Sequence, residues 1–196
     1  ILISHRLPAE TVRSLADEVP IVVLTLKDLT GPGIDSVVTD DETGTRMAMQ
    51  HLFDLGHRDI AHVSGGSLDP AVVRERLYRS EMQAAGLGSM TRVIEGDLTN
   101  LGGLEAARTL LREGKPPTAI FASNDISALG VMAACQEFGL GIPADISIIG
   151  YDGIALGALR TLSLTTIAQP LGLMGQVAAQ RLFDRMAGTQ LDDRSI

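Results

Sequence analysis

Pro117-Thr118-Ala119-Ile120-Phe121-Ala122-Ser123-Asn124-Asp125 decides the architecture. Four apolar residues in a row, Ala119 to Ala122, carry no polar alternation and read as a strand buried on both faces. The chain then turns polar at Ser123-Asn124-Asp125 and resumes a helical period over 125–138. A doubly buried strand that leads straight into a helix is the repeating unit of a parallel sheet.

Working outward, the same alternation recurs. Strands are expected at 1–3, 21–25, 36–39, 60–64, 92–95, 119–122 and 147–150, with a shorter one at 164–168. Helices are expected at 8–18, 41–55, 70–85, 101–113, 125–138 and 170–186. In the helix at 41–55, Met47, Ala48, His51, Leu52 and Leu55 form the apolar stripe, and Gly56 supplies the stop. The alternation breaks at 26–35, rich in Gly and Pro, and again at 155–163. Two breaks suggest two lobes rather than one continuous sheet. The expected fold class is therefore α/β, with parallel sheets flanked by helices.

Composition narrows the function. The chain has 196 residues, 45% hydrophobic and 20% charged, enough for a sizeable core. Its formal net charge is -8 and its only lysines are Lys27 and Lys115, which argues against these residues gripping a phosphate backbone. No apolar run approaches the length of a membrane helix. A single cysteine, Cys135, excludes an internal disulfide and fits a reducing, cytoplasmic compartment. The opening Ile1-Leu2-Ile3 is a buried-strand pattern without an initiator Met, and the tail Asp192-Asp193-Arg194-Ser195-Ile196 looks cut short, so the sequence reads as a fragment.

Catalytic chemistry finds little support. His5, His51, His57 and His62 form no metal-ligand spacing, and Cys135 lies mid-helix without a polarising partner. Ser64-Gly65-Gly66-Ser67 follows a strand but lacks the Lys-Ser/Thr of a phosphate loop and the Gly-x-Gly-x-x-Gly of a dinucleotide site, so a plain strand-to-helix turn is favoured. No catalytic residue, metal or cofactor is expected, and the chain is not read as an enzyme.

What recurs instead is a polar group at the carboxyl end of a strand: Asp40-Asp41, Asn124-Asp125, Tyr151-Asp152 and Gln169. Ligands of open α/β sheets bind outside those ends. Mixed donors and acceptors there, joined by the guanidinium of Arg74, suit a neutral polyhydroxylated molecule. The competing reading is that Asn and Asp merely cap the next helix, a role to which Gln169 is poorly suited.

At these residues the sequence resembles the effector-binding core of the LacI/GalR family of bacterial transcriptional regulators. Three blocks carry the resemblance. The first runs from Asp40-Asp41-Glu42-Thr43-Gly44 into His51-Leu52-Phe53-Asp54-Leu55-Gly56-His57-Arg58-Asp59-Ile60-Ala61. The second is the stretch quoted at the outset, followed by Ala128-Leu129-Gly130. The third joins Ile142-Pro143-Ala144-Asp145-Ile146-Ser147-Ile148-Ile149-Gly150-Tyr151-Asp152 to Leu164-Thr165-Thr166-Ile167-Ala168-Gln169-Pro170. The resemblance implies a type I periplasmic-binding-protein fold, two similar lobes with the ligand in the cleft. A partial N-terminal lobe would comprise 1–39 plus 169–190; the C-terminal lobe would comprise 40–168 with the tail 191–196. The family's helix-turn-helix domain is not among these residues, which fits the acidic charge.

By the same resemblance Arg74 matches an effector-binding arginine, Asn124 and Asp152 match polar cleft residues, and Gln169 matches a residue at a crossing. Ser4 and Thr25 lie at matching strand ends. Three positions depart from the pattern. Leu98 stands where an aromatic often stacks on sugar or base, Leu77 replaces a common glycine, and Asp41 stands where Asn usually follows Asp. The implied protein is a cytoplasmic homodimer that binds a sugar or similar metabolite and reaches operator DNA through its N-terminal domain. A secreted solute-binding protein of a sugar transporter is the alternative, since it shares the fold. Asp152 and Arg74 are expected to serve ligand binding and to matter little for folding.

Overall fold

A computed structural model describes residues 1–3, 7–25 and 29–189. Among the described residues eight strands and six α-helices follow one another as β1 (Leu2–Ile3), α1 (Ala9–Ala16), β2 (Ile21–Leu24), β3 (Ile34–Val37), α2 (Asp41–Asp54), β4 (Ile60–Val63), α3 (Asp69–Ala84), β5 (Arg92–Ile94), α4 (Asn100–Arg112), β6 (Ala119–Ala122), α5 (Asp125–Glu137), β7 (Ser147–Asp152), β8 (Thr165–Ala168) and α6 (Leu171–Met186). Every pairing between these strands is parallel. The α/β class with parallel sheets flanked by helices is thus the observed one. The chain divides into two compact units, Ile1–Asp40 with Pro170–Ile196, and Asp41–Gln169.

The first unit holds a three-stranded sheet in the order β1-β2-β3. Alternate residues of β2 and β3 face opposite ways. Ile21, Val23 and Ile34 pack with Val12 of α1, while Val22, Leu24 and Val37 pack with Met174 and Ala178 of α6. Asp35 is fully buried. Its Oδ1 accepts from Arg181 Nη2 at 2.7 Å and its Oδ2 from Arg185 Nε at 2.7 Å. Burial alone would raise the Asp35 pKa, but hydrogen bonds from Arg185 and Arg181 overcome it and hold the carboxyl below its ordinary range.

The second unit holds a five-stranded sheet in the order β5-β4-β6-β7-β8. One face packs on α4 and α5 through Ala61, Val63, Ile120 and Ala122; the other packs on α2 and α3 through Ile60, Phe121, Ile149 and Tyr151. Strands clothed on both sides are largely apolar, and β4 and β6 are buried throughout, with His62 the polar residue of β4. The Leu55-Gly56-His57-Arg58-Asp59 block is scaffolding. His57 bonds Thr118 Oγ1 and Ser147 Oγ, each at 3.0 Å, and so ties together the starts of three strands. Arg58 donates to the Phe53 carbonyl at the end of α2, and Asp59 pairs with Arg92.

Two expectations need correction. Strand β3 covers Ile34–Val37 rather than 36–39, because the polar pair Asp35-Ser36 lies inside the core. In α2 the buried stripe is Gly44, Thr45, Ala48, Met49 and Leu52, whereas Met47 is 58% and Leu55 60% exposed. Gly44 explains the phase: a Cβ there would lie 2.1 Å from the Tyr151 hydroxyl, so only glycine lets α2 approach β7 this closely. Among the described residues no helix is long and apolar enough to cross a membrane.

Candidate functional site

The polar residues gather in the second unit, at the carboxyl ends of β6, β7 and β8. Parallel strands in register deliver their C-terminal residues to one edge; Tyr151 pairs with Ile167 and Asp152 with Ala168. Gln169 is the next residue after β8, and its amide donates to the Asp152 carbonyl at 3.0 Å. Its side chain turns the same way, with Nε2 donating to Asp152 Oδ1 at 2.6 Å. Asp152 has φ 125, the left-handed region that side-chain-bearing residues rarely adopt. Burial is the largest influence on its carboxyl, with Asp125 and Asp41 adding to it; Arg74 and Gln169 oppose, and the net pKa is about 6.

Arg74 projects from α3 beneath this edge and is 4% exposed. Nε donates to Asp41 Oδ1 at 2.8 Å and Nη2 lies 2.7 Å from the same oxygen. Nη1 donates to the Ser123 carbonyl at 2.7 Å and lies 3.7 Å from Asp152 Oδ1. The guanidinium carbon sits 3.6 Å from the centre of the Tyr151 ring, a stacked cation–π contact. Tyr151 has its phenol pKa raised, by burial first and by Asp41 as well. His62 of β4, fully buried between Tyr78 and Phe121, is bonded through Nδ1 to the Phe121 carbonyl and held by burial at a pKa of about 3. It is neutral at physiological pH.

Of the expected site residues, the structure brings Arg74, Asp152 and Gln169 into one hydrogen-bonded and ion-paired cluster. Asn124 is engaged differently. Its Oδ1 caps α5 by accepting from the Ser127 amide at 2.8 Å, and its Nδ2 donates to the Leu98 carbonyl at 3.1 Å. Leu98 has φ 67 and seats its side chain over Gly65, where a Cβ would meet Leu98 Cδ2 at 2.4 Å. The Ser64-Gly65-Gly66-Ser67 segment is accordingly a close-packed turn between β4 and α3. Thr25 follows β2 in the first unit, its amide donating to the Val37 carbonyl at 3.0 Å. Ser4 lies outside the described residues. Leu77 is buried in α3.

Two findings go past the sequence reading. Asp41 is Arg74's ion-pair partner across 33 residues of chain, a link that no local signal carries. Arg74 is also structural: a buried guanidinium with a carboxylate, a carbonyl and a ring as partners cannot be removed without cost to folding. The expectation that it matters little for stability is corrected on that ground. Asp125, adjacent to the cap, accepts from Thr166 Oγ1 at 2.6 Å and from the Ile154 amide at 2.8 Å, so it braces β8 and the loop after β7.

Parallel sheets flanked by helices, the second with a polar cluster at its strand ends, are the architecture of a periplasmic-binding-protein-like domain. Residues 49–196 match the family of periplasmic binding protein-like domains. Catabolite control protein A of Priestia megaterium is 36% identical over 200 residues, covering 100% of this chain and 60% of that protein. A LacI transcriptional regulator from a Rhodococcus species superposes with a TM-score of 0.91 at 34% identity, covering 99% of this chain and 71% of that one. A LacI-family regulator from Enterococcus faecalis, solved with bound ribose, superposes at 0.86 with 30% identity, covering 99% and 71%. The chain belongs to the LacI family of transcriptional regulators, within the periplasmic-binding-protein-like class. It spans roughly half to 60% of the length of the curated relatives it matches.

Proposed function

We propose that this chain is the effector-binding part of a ligand-responsive bacterial transcriptional regulator. It binds a small polyhydroxylated metabolite, a sugar or a close relative, at the strand ends of the second unit. One observation carries the reading: Asp152, Gln169 and Arg74 converge where open α/β sheets take ligands, and Asp152 holds an oxygen ready to accept hydroxyl hydrogens in a desolvated setting. The bound ribose of the Enterococcus faecalis regulator supports the chemical class. The named relatives are regulators, which favours this reading over a secreted solute-binding protein.

The whole protein, on this proposal, is a cytoplasmic homodimer whose separate DNA-binding domain contacts the operator. Regulators that read two half-sites need a two-fold protein. The span here, with a net charge of -8, leaves DNA alone. The effector must bind two states with different affinity; moving a balance from 1:99 to 99:1 takes about 5.5 kcal/mol of difference. A thermal-shift screen of sugars, purines and small acids tests the ligand class. A neutral sugar should raise the midpoint in a dose-dependent way, and a shift confined to acids or purines would reject it.

A further inference from the structure

The reading of the strand ends as the effector site leaves open why its one guanidinium is so thoroughly engaged. Arg74 lies in a setting where it would ordinarily attract an anion: a buried, forked cation beside the amino ends of helices. Here that cation is already matched. Asp41 Oδ1 takes both Nε and Nη2, and the pair is nearly out of solvent, with 5% of the Arg74 side chain and 15% of the Asp41 side chain exposed. Tyr151 covers the guanidinium face at 3.6 Å. The other ionisable groups at this edge are carboxylates: Asp152, 3.7 Å from Nη1, and Asp125 on the neighbouring strand end. With Arg74 matched, an incoming phosphate or carboxylate meets uncompensated negative charge in a low-dielectric setting, where like charges repel strongly. Hydroxyl groups meet no such penalty and find acceptors.

We propose that Asp41 determines the charge class of the effector: by neutralising Arg74 it admits an uncharged polyhydroxylated molecule and rejects the phosphorylated or carboxylated counterpart. Asp41 is then a specificity-determining residue, acting through Arg74 rather than by touching the ligand. The proposal rests on the effector-site reading above. It distinguishes this chain from any relative with a neutral residue at this position, whose arginine would be open to an anion.

The test uses the full chain and inorganic phosphate as probe, followed by amide chemical shifts at pH 7. The unaltered protein should show no saturable shifts at Ser123, Asp152 or Gln169 at millimolar phosphate. Asp41→Asn, which keeps the shape and removes the charge, should bind phosphate at least tenfold more tightly, with shifts at those three residues. The Arg74 Nε–H resonance should move between the two proteins, reporting release of the guanidinium. Saturable phosphate binding by the unaltered protein at those residues overturns the proposal without need of any variant. No gain in Asp41→Asn overturns the role of Asp41 and leaves the site reading standing. A gain whose shifts map elsewhere overturns the site reading itself.

Discussion

Asp35, fully buried, and Asp152, whose side chain is 24% exposed, both sit in parallel-sheet units, and their surroundings push their carboxyls in opposite directions. Asp35 meets two arginines at hydrogen-bond distance, and its carboxyl is held below its ordinary range despite burial. Asp152 has an amide from Gln169, an arginine only at 3.7 Å, and two other carboxylates nearby, so burial wins and its pKa is about 6. The first arrangement is complete and holds β3 to α6. The second is incomplete within the protein, and its unfilled hydrogen-bonding capacity is what a ligand can use. A buried carboxylate is thus not a functional signal in itself; the extent to which the protein satisfies it is.

The largest effect is expected at Asp35. Asp35→Ala removes the carboxylate that Arg181 and Arg185 share, and breaking such a buried pair costs about 3–5 kcal/mol. Hydrogen exchange of the β2 and β3 amides should rise accordingly, and unchanged protection there would remove Asp35 from the scaffold. Gly44→Ala comes next. The added methyl collides with the Tyr151 hydroxyl, and forced overpacking costs about 1–3 kcal/mol. A denaturant midpoint equal to that of the unaltered protein would show that α2 can move off β7 freely.

Acid dependence sharpens the same contrast with smaller effects. Asp35 has a depressed native pKa, so its contribution is present above about pH 4, the unfolded carboxylate value, and is lost as pH falls through the native one. Asp152 has a raised native pKa, so the native state binds the proton more tightly. Its contribution is present below about pH 4 and is lost as pH rises through about 6. Asp152→Asn removes that titration. The stability of the variant relative to the unaltered protein should rise by about 2 kcal/mol between pH 4 and pH 7, checked by melts across that range. A difference that stays flat with pH would contradict the assignment.

The sequence revealed those parts whose partners are nearby or whose environment is uniform. Strand β6 falls at 119–122 as expected, because its four residues are all apolar and all buried. Strand β3 was misplaced because Ile34-Asp35-Ser36-Val37 looks polar at its centre; the arginines that make Asp35 a core residue stand 146 and 150 positions away. The α2 stripe was misphased because glycine and threonine do not look like core residues until Tyr151 is placed against them. At the site, Asp152, Gln169 and Arg74 followed from strand ends and the family resemblance, while the hold of Asp41 on Arg74 depends on how α2 and α3 pack. Asn124 had two readings open, and its side chain is occupied as a helix cap.

On the proposed function, the strand ends of the second unit form the effector site and Asp152 accepts ligand hydroxyls. Titration calorimetry of Asp152→Asn against the sugar identified by thermal shift, with a melt of the same preparation, tests it most directly. Loss of a charged hydrogen-bond partner in a desolvated site costs about 1.5–3 kcal/mol, roughly ten- to a hundredfold in affinity. The expected result is that loss of affinity with an unfolding midpoint at pH 7 that is unchanged or higher. Unchanged affinity with a lowered midpoint would contradict the account and make Asp152 a second Asp35.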